Sequence, residues 1–227
     1  VASIRLPRRL IFGRALWQFL LAITTLVAGL IMSKRDVCVV YSPPLPLGLS
    51  AWLIRMFKKT PFVFNVQDLF PHNLLETGLM KKGIIFSIFE KLERSIYTRA
   101  DWITVHAESN VKHILNRGGI ASKISAMSNW VDTDEIVTNG SPDPFATRHD
   151  LHGCFIASFA GVLGHLQDLD VILDAAEATK NEHEIKWLIV GDGVQRQRLE
   201  DLARVRELNN VLFVPMVPRS VYPQVLY

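Results

Sequence analysis

The feature that most constrains the fold of this chain is the alternation of short apolar runs with longer segments of helical periodicity. The runs predicted to be strands are Asp36–Tyr41, Pro61–Val66, Asp101–His106, Lys123–Asn129, Cys154–Gly161, Lys186–Gly191 and Asn210–Pro215. Strands that alternate with helices in this way form parallel sheets through right-handed crossovers. Because the runs are apolar almost throughout, they suit strands covered on both faces. The sequence therefore predicts a doubly wound α/β fold.

A polar stretch, "NGSPDPFATRHD", interrupts this alternation with two prolines and a glycine, and the same pattern then starts again. We therefore expect an N-terminal Rossmann-like domain over residues 1–140, a linker over 141–150 and a second Rossmann-like domain over 151–227. In such sheets, ligands bind beyond the carboxyl ends of the strands. Two such domains facing each other would form a cleft from their strand-end loops.

The composition excludes several classes of protein. Hydrophobic residues make up 49% and charged residues 21% of the 227 residues, which is typical of a globular chain. A formal net charge of +3 is too small to indicate a nucleic-acid partner. The two cysteines lie far apart within apolar runs, so we expect free thiols and a reducing compartment. No local spacing of cysteine and histidine predicts a metal site.

The run Ala15–Met32 is uncharged and follows a basic segment that contains Arg5, Arg8, Arg9 and Arg14. Its length is near the lower limit for crossing a bilayer, about 17–25 residues. Three interpretations compete: a buried or half-buried helix of the domain, a helix lying on an anionic membrane surface, and a helix that spans the membrane. An integral membrane protein is disfavoured by the α/β pattern that follows.

Two glycine turns connect predicted strands to predicted helices in the second half of the chain. In the turn Gly191-Asp192-Gly193, backbone amides can point at an anion at the start of a helix. A dinucleotide fingerprint needs a further glycine at the position that Arg196 occupies, so an NAD site is not predicted. The alternative is a tight turn with no ligand.

The other glycine turn comes after the first strand of the second half. There Gly161 and Gly164 precede His165, and Gly164 would let the backbone approach a phosphate closely. His165 stands where a cation could reach a diphosphate, although a lone histidine is more often structural.

In the first half, the loop "QDLFPHN" follows a strand and brings Gln67, Asp68 and His72 toward a predicted ligand site. Asp68 could hydrogen-bond a donor sugar or orient an acceptor, and the alternative is that it caps the next turn. His72 follows a proline and is expected either at the site or simply exposed.

Two further strand ends carry polar residues. Asn129 is expected to line the site, while Asp132 is expected to be a capping residue. His106 and Glu108, at the end of another strand, form a less favoured acid/base candidate.

The segments "FAGVLGHLQDLDVILDAA", "WLIVGDGVQRQRLEDLA" and "NVLFVPMVPRSVYPQVL" together resemble the donor-binding half of a retaining GT-B glycosyltransferase of family 4. The segments "VVYSPPLPLGLSAWLI", "PFVFNVQDLFPHN", "KLERSIYTRADWITV" and "NWVDTDE" are similar to one branch of that family. Members of this branch add sugars to lipid-linked intermediates of bacterial capsule, colanic acid and O-antigen. The similarity covers nearly the whole chain, with several motifs in the right order.

The resemblance implies a nucleotide-sugar donor held by the two glycine turns, a lipid-linked saccharide acceptor, retention of configuration, and no metal cofactor. It implies catalytic roles for Asp68 and Asn129 and a peripheral position on the cytoplasmic face of the membrane through residues 5–32. Three positions depart from the pattern of relatives. Val162 replaces an asparagine or arginine, His165 replaces a lysine, and Asp168 replaces a glycine.

The family resemblance also implies that the chain is a fragment. Relatives begin with a strand and a glycine-rich loop, and they continue to a segment with paired glutamates that holds the donor. Both would be missing here, which leaves two incomplete domains. The alternatives are therefore an inactive truncated piece of such an enzyme and a GT-B nucleotide-sugar epimerase.

Overall fold

The computed structural model describes residues 11–134, 136 and 144–226. The chain divides into two compact units, residues 1–130 and 131–227. The predicted linker, 141–150, thus falls within the second unit. Its later part forms a short helix, Pro144–Arg148, and the side chain of Phe145 is buried in that unit's core because it is the one large apolar residue of the stretch. Residues 141–143 lie outside the described part.

The first unit contains a parallel sheet of four strands. Its helices are α1 (Ile11–Ile31), α2 (Pro46–Lys58), α3 (His72–Glu76), α4 (Ile84–Arg99) and α5 (Glu108–Asn116), and its strands are β1 (Cys38–Ser42), β2 (Phe62–Val66), β3 (Trp102–Val105) and β4 (Ile124–Ala126). The strands pair in chain order, β1-β2-β3-β4. The parallel pairing that the sequence predicts is therefore confirmed.

The core of the first unit lies between this sheet and α2, α4 and α5. Phe62 and Phe64 of β2 are fully buried there, since alternate residues of a strand point to the same face. The periodicity of residues 81–99 predicts a helix with Ile85, Phe89, Leu92 and Ile96 on one face.

In α4, Ile96 is buried and Phe89 and Leu92 pack against the core, whereas Ile85 is 64% exposed. The helix also turns Phe86 and Glu93 toward the interior.

Helix α1 packs against α2 on one side. The hydroxyl of Ser50 donates to the carbonyl oxygen of Ala22 at 2.7 Å, and Gly29 lies against the side chain of Ile54. The opposite side carries an exposed stripe at helical spacing, which we call the α1 stripe: Phe19, Ile23, Val27 and Ile31. Within the described residues, no helix has the length and apolar character that a membrane crossing requires.

The second unit contains a parallel sheet of three strands. Its helices are α6 (Pro144–Arg148), α7 (Asp170–Ala178), α8 (Arg196–Val205) and α9 (Tyr222–Val225), and its strands are β5 (Phe155–Val162), β6 (Ile185–Asp192) and β7 (Val211–Val214), paired in the order β5-β6-β7. A 3₁₀ turn, His165–Gln167, lies between β5 and α7.

The central strand of this second sheet, β6, is covered on both faces. Ile189 of β6 packs into one apolar cluster with Leu173 of α7 and Leu199 of α8. Its neighbour Leu188 packs into another cluster with Phe145 and Val225, on the opposite face because side chains alternate along a strand. Two-sided burial fits the nearly continuous apolar character from which the strands were predicted.

Candidate functional site

The two glycine turns lie side by side at the carboxyl ends of β5 and β6. Gly161 is the register partner of Gly191. A Cβ atom on Gly191 would lie 1.8 Å from the carbonyl oxygen of Gly161, and one on Gly193 would lie 2.3 Å from that of Leu163. No side chain fits at such distances from backbone. Close packing of the two turns therefore accounts for the glycines at 191 and 193.

Several backbone amides of these turns are already paired within the protein. The Leu163 amide donates to the Asp192 carbonyl oxygen at 2.9 Å, and the Gln195 amide donates to the Leu163 carbonyl oxygen at 3.0 Å. The side chain of Asp192 accepts from the amide of Gly193 at 3.0 Å. The structure thus gives Asp192 and Gly193 a role in holding the turn, alongside the donor-binding role expected from the sequence.

Gly164 differs from Gly191 and Gly193 because the backbone does not demand it. Its φ is −111°, and an added Cβ would come within 3.0 Å of only the flexible end of Gln167, whose Oε1 would be 2.7 Å away. Asp168 follows Gln167 with a φ of 45°, in the left-handed region. Glycine suits this conformation best, and aspartate is among the residues that tolerate it.

A cavity of about 120 Å³ lies beside these residues, and its lining is Gly164, His165, Asp168, Leu169, Asp170, Gln195 and Arg198. It is smaller than the roughly 300–1,000 Å³ of a typical ligand pocket, so it can hold only part of a ligand. The buried side chain of Gln195 contacts both the ring of His165 and the guanidinium of Arg198.

Arg198 forms a two-pronged ion pair with Asp170, with nitrogen–oxygen distances of 2.9 and 2.7 Å. The hydrogen bond from Arg198 lowers the pKa of the Asp170 carboxyl, and the same bond raises the pKa of Arg198. The cavity therefore holds one permanent cation against the carboxylates of Asp168 and Asp170. An anion can bind here by taking over the guanidinium from Asp170, because carboxylates and phosphates accept the same paired hydrogen bonds.

Arg196 occupies the position at which a dinucleotide fingerprint has a further glycine, and its side chain stabilises the second turn. Its Nη1 donates to the carbonyl oxygens of Gly191 at 2.6 Å and Val214 at 3.2 Å. Its Nε lies 2.8 Å from the carboxylate of Glu200, one turn further along α8. The arginine ties the end of β6 to the end of β7.

In the first unit, the structure brings together two of the predicted site residues that are distant in sequence. The side-chain amide of Asn129 donates to Oε1 of Gln67 at 2.9 Å, and the amide of Gln67 donates to the buried side chain of Asn65. Asp68 follows Gln67 and is exposed, and its carboxylate makes no hydrogen bond within the described residues. Asp132 accepts from the amide of Asp134, which agrees with the expected capping role.

His72 points to α4 and α5. Its Nε2 is 3.5 Å from Oε1 of Glu90, and its ring lies 4.8 Å from that of His113, centroid to centroid. Burial and the nearby charge of Arg117 lower the pKa of His72. The weaker candidate His106 has a buried Nδ1 without a hydrogen-bond partner in the described part of the chain, and nothing there joins it to Glu108.

Solved structures with the same fold include HepE and a sucrose-phosphate synthase. The chain superposes on HepE of Anabaena in complex with UDP with a TM-score of 0.69 and 13% identity, over 91% of this chain and 54% of HepE. The sucrose-phosphate synthase of Thermosynechococcus elongatus gives a TM-score of 0.73 at 13% identity, over 98% of this chain and 54% of that enzyme. At these identities the likeness shows the fold, which is of the GT-B class with Rossmann-like domains.

Sequence comparison is more specific. The chain is 29% identical over 181 residues to the probable glycosyltransferase WbjE of Pseudomonas aeruginosa, covering 76% of this chain and 45% of WbjE. It is 26% identical over 170 residues to WcaI of Escherichia coli strain K12, covering 72% of this chain and 42% of WcaI, whose name assigns it to colanic acid biosynthesis as a glycosyl transferase. No protein-family model matches. The chain spans less than half of the length of these relatives, and they confirm its resemblance to glycosyltransferases of polysaccharide synthesis.

Proposed function

We propose that this chain is part of a glycosyltransferase that moves a sugar from a nucleotide-sugar donor to a lipid-linked saccharide in surface-polysaccharide synthesis. The observation that carries the proposal is the pair of glycine turns at adjacent strand ends, with the cavity beside Gly164. The names of WbjE and WcaI support the reaction class. Solved structures of HepE contain UDP and UDP-glucose, which supports a nucleotide-sugar donor.

The donor diphosphate would lie beside Gly164, where an absent side chain leaves room for phosphate oxygens. Arg198, on α8, would exchange its ion pair with Asp170 for one with the diphosphate. His165, which directly follows Gly164, would approach the diphosphate from the first turn. Helix α8 begins at Arg196, directly after the second turn, so the partial positive charge of its N-terminus adds to the field there. Fixed donors of this kind stabilise charge that develops on a leaving diphosphate, without a metal ion.

On the acceptor side, the exposed carboxylate of Asp68 would accept a hydrogen bond from a sugar or acceptor hydroxyl. The Gln67–Asn129 pair would hold the loop after β2 in place. In a retaining transfer the acceptor hydroxyl attacks from the face that the leaving group departs from, so the leaving diphosphate itself can receive the proton. A strong base is then unnecessary, and an aspartate that orients the hydroxyl is sufficient.

Titration with UDP, UDP-glucose and other nucleotide sugars, followed by calorimetry and thermal shift, tests the donor site. We expect saturable binding that Arg198→Gln weakens at least tenfold. The matched control is Arg204→Gln, because Arg204 lies on the same helix, is 75% exposed and pairs only with Asp201 among the described residues. Absence of binding by any nucleotide sugar, or equal binding by both variants, would contradict the proposed donor site.

We further propose that the α1 stripe lies on the cytoplasmic face of the membrane that carries the acceptor. Its four side chains are 44–80% exposed although they are apolar. The sequence places Arg5, Arg8 and Arg9, which lie outside the described residues, just before this helix, where arginines meet anionic head groups.

Flotation with vesicles of phosphatidylglycerol and phosphatidylethanolamine tests this membrane contact. Ile23→Glu should reduce the floated fraction severalfold. Val205→Glu, at a 79% exposed position on α8, should leave it unchanged. Equal flotation of the two variants would remove the membrane part of the proposal and leave the donor site unaffected.

A further inference from the structure

A buried carboxylate in the first unit has an unusual set of neighbours. The side chain of Glu93 on α4 is completely buried. Its Oε1 accepts from the hydroxyl of Tyr97 at 3.0 Å and lies 3.1 Å from Nε2 of His113 on α5. Its Oε2 is 3.5 Å from Nη1 of Arg117. Burial of a charged group at this depth requires partners on every side.

A second imidazole completes the cluster. His72, at the start of α3, stacks edge-on against the ring of His113, with centroids 4.8 Å apart, and against the ring of Phe86. Its Nε2 is shielded from solvent and has no hydrogen-bond partner within the described residues. The ligand atoms of His72, Glu93 and His113 all lie within 4.8 Å of one another.

Arg117 lies closer to Glu90 than to Glu93. Its Nη1 binds Oε1 of Glu90 at 2.6 Å and lies 3.5 Å from Oε2 of Glu93. The guanidinium is therefore engaged chiefly by Glu90, and the buried carboxylate of Glu93 lies next to the two imidazoles.

We propose that His72, Glu93 and His113 bind one divalent transition-metal ion, with Zn²⁺ as the best match. Two histidines and one glutamate form a ligand set that zinc takes in proteins, at about 2.0–2.2 Å from each ligand atom. Tetrahedral ligand atoms then lie about 3.4 Å apart, so an approach of little more than an ångström closes the site. Tyr97 orients the carboxylate by its hydrogen bond, as outer partners of metal ligands do.

The ion would hold these three side chains together, and with three protein ligands it would keep a fourth position for water. It would join the start of α3 to α4 and α5, the three elements that follow the carboxyl-end loops of β2 and β3. The site is independent of the proposed donor site, which lies in the second unit. No short spacing motif predicts this site, because its ligands are separated by about twenty residues each along the chain.

The experiment loads the purified full chain with Zn²⁺, removes excess metal on a desalting column and measures bound zinc by mass spectrometry. We expect one equivalent in the wild type and at least tenfold weaker binding in His72→Gln. The matched control is His183→Gln, because His183 is an exposed histidine of the second unit. Zinc should also raise the thermal midpoint of the wild type and of the control, and not that of His72→Gln.

His72→Gln is the decisive variant because it removes no hydrogen bond from the described structure, whereas His113→Gln deprives Glu93 of a partner. Circular dichroism of both variants separates loss of fold from loss of metal. Substitution with Co²⁺ adds a coordination-dependent visible spectrum that should disappear in His72→Gln. Wild-type protein that retains no zinc, or equal zinc in His72→Gln and His183→Gln, would overturn the proposal.

Discussion

The carbonyl oxygen of Leu163 lies where a side chain on Gly193 would begin, only 2.3 Å from the position of its Cβ. The same oxygen accepts the amide of Gln195 at 3.0 Å, so it cannot move away without breaking a hydrogen bond. The two turns of the candidate donor site therefore form a single packed structure. Close packing of the backbone therefore requires glycine at positions 191 and 193, whether or not a ligand binds.

Gly193→Ala should destabilise the protein by about 2–3 kcal/mol or more, as expected when added atoms meet backbone that cannot yield. Gly164→Ala is the comparison, because its new methyl group meets only the movable end of Gln167. We expect Gly164→Ala to stay within about 1 kcal/mol of the wild type. Urea unfolding of both variants measures this, and equal destabilisation would show that the close turn packing is wrong.

Asp168→Asn separates charge from backbone conformation at one position. Asparagine tolerates the left-handed φ of 45°, so stability should change by less than about 0.5 kcal/mol. Removing a negative charge from the cavity should strengthen nucleotide binding several-fold at low salt, and less at high salt. Calorimetry at two salt concentrations tests both statements. Asp168→Ala should cost about 1 kcal/mol of stability, because alanine is strained in this conformation.

In the first unit, side-chain hydrogen bonds link Asn129 to Gln67 and Gln67 to Asn65. They predict that alanine substitutions at positions 67 and 129 lower stability by unequal amounts. Gln67→Ala leaves the oxygen of Asn65, which is 2% exposed, without its donor. A buried polar group left unpaired costs about 1–3 kcal/mol. Asn129→Ala removes only the outer, exposed bond and should cost about 0.5 kcal/mol or less. Denaturant midpoints of the two variants decide the matter, and a larger effect of Asn129→Ala would contradict the assigned hydrogen bonds.

The hydrogen bonds of the Asp101 carboxylate predict that the free energy of unfolding depends on pH. Its carboxylate accepts from the guanidinium of Arg55 at 2.7 and 2.8 Å and from the amide of Phe62 at 3.0 Å. The bond from Arg55 and then the amide lower its pKa below the value of an unfolded chain. The stabilisation is therefore fully present above about pH 4 and is lost as the pH falls through the lowered pKa.

Asp101→Asn should accordingly be less stable than the wild type at neutral pH, by about 1 kcal/mol because the pair is partly exposed. The difference should shrink below about pH 4, where the wild-type carboxylate gains a proton. Asp36→Asn is the control, since Asp36 is exposed and has no such partners in the described residues. A difference that stays constant down to pH 2 would show that Asp101 does not stabilise the fold through its charge.

The sequence predicted well what short segments determine. All of the expected strands form, because runs such as Phe62–Val66 and Ile185–Asp192 are apolar enough to be buried whatever surrounds them. The pair Gly118-Gly119 also predicts a left-handed cap at the end of the helix before it, and Gly118 takes a φ of 92°. The predicted linker, 141–150, contains one large apolar residue, Phe145, and this side chain packs into the core of the second unit.

Side-chain contacts across long stretches of chain could not be predicted in the same way. Arg198 reaches Asp170 across 28 positions and Asn129 reaches Gln67 across 62. Such pairs depend on which helix faces turn inward and meet, and the pattern of a short segment does not determine this. In the sequence, the position of Gln195 between a glycine turn and a charged helix was the feature that could have indicated the cavity. No comparable sequence feature indicated the cluster around Glu93.

The order β1-β2-β3-β4 has a consequence for how the molecule is made. Each strand of that sheet pairs with the strand synthesised immediately before it, so no strand must wait for a later one to close a long loop. During translation the sheet can grow one strand at a time as the chain leaves the ribosome, and the second sheet can repeat the process. A fragment that ends at Trp130, once it is fully outside the ribosome, should therefore already resist proteolysis.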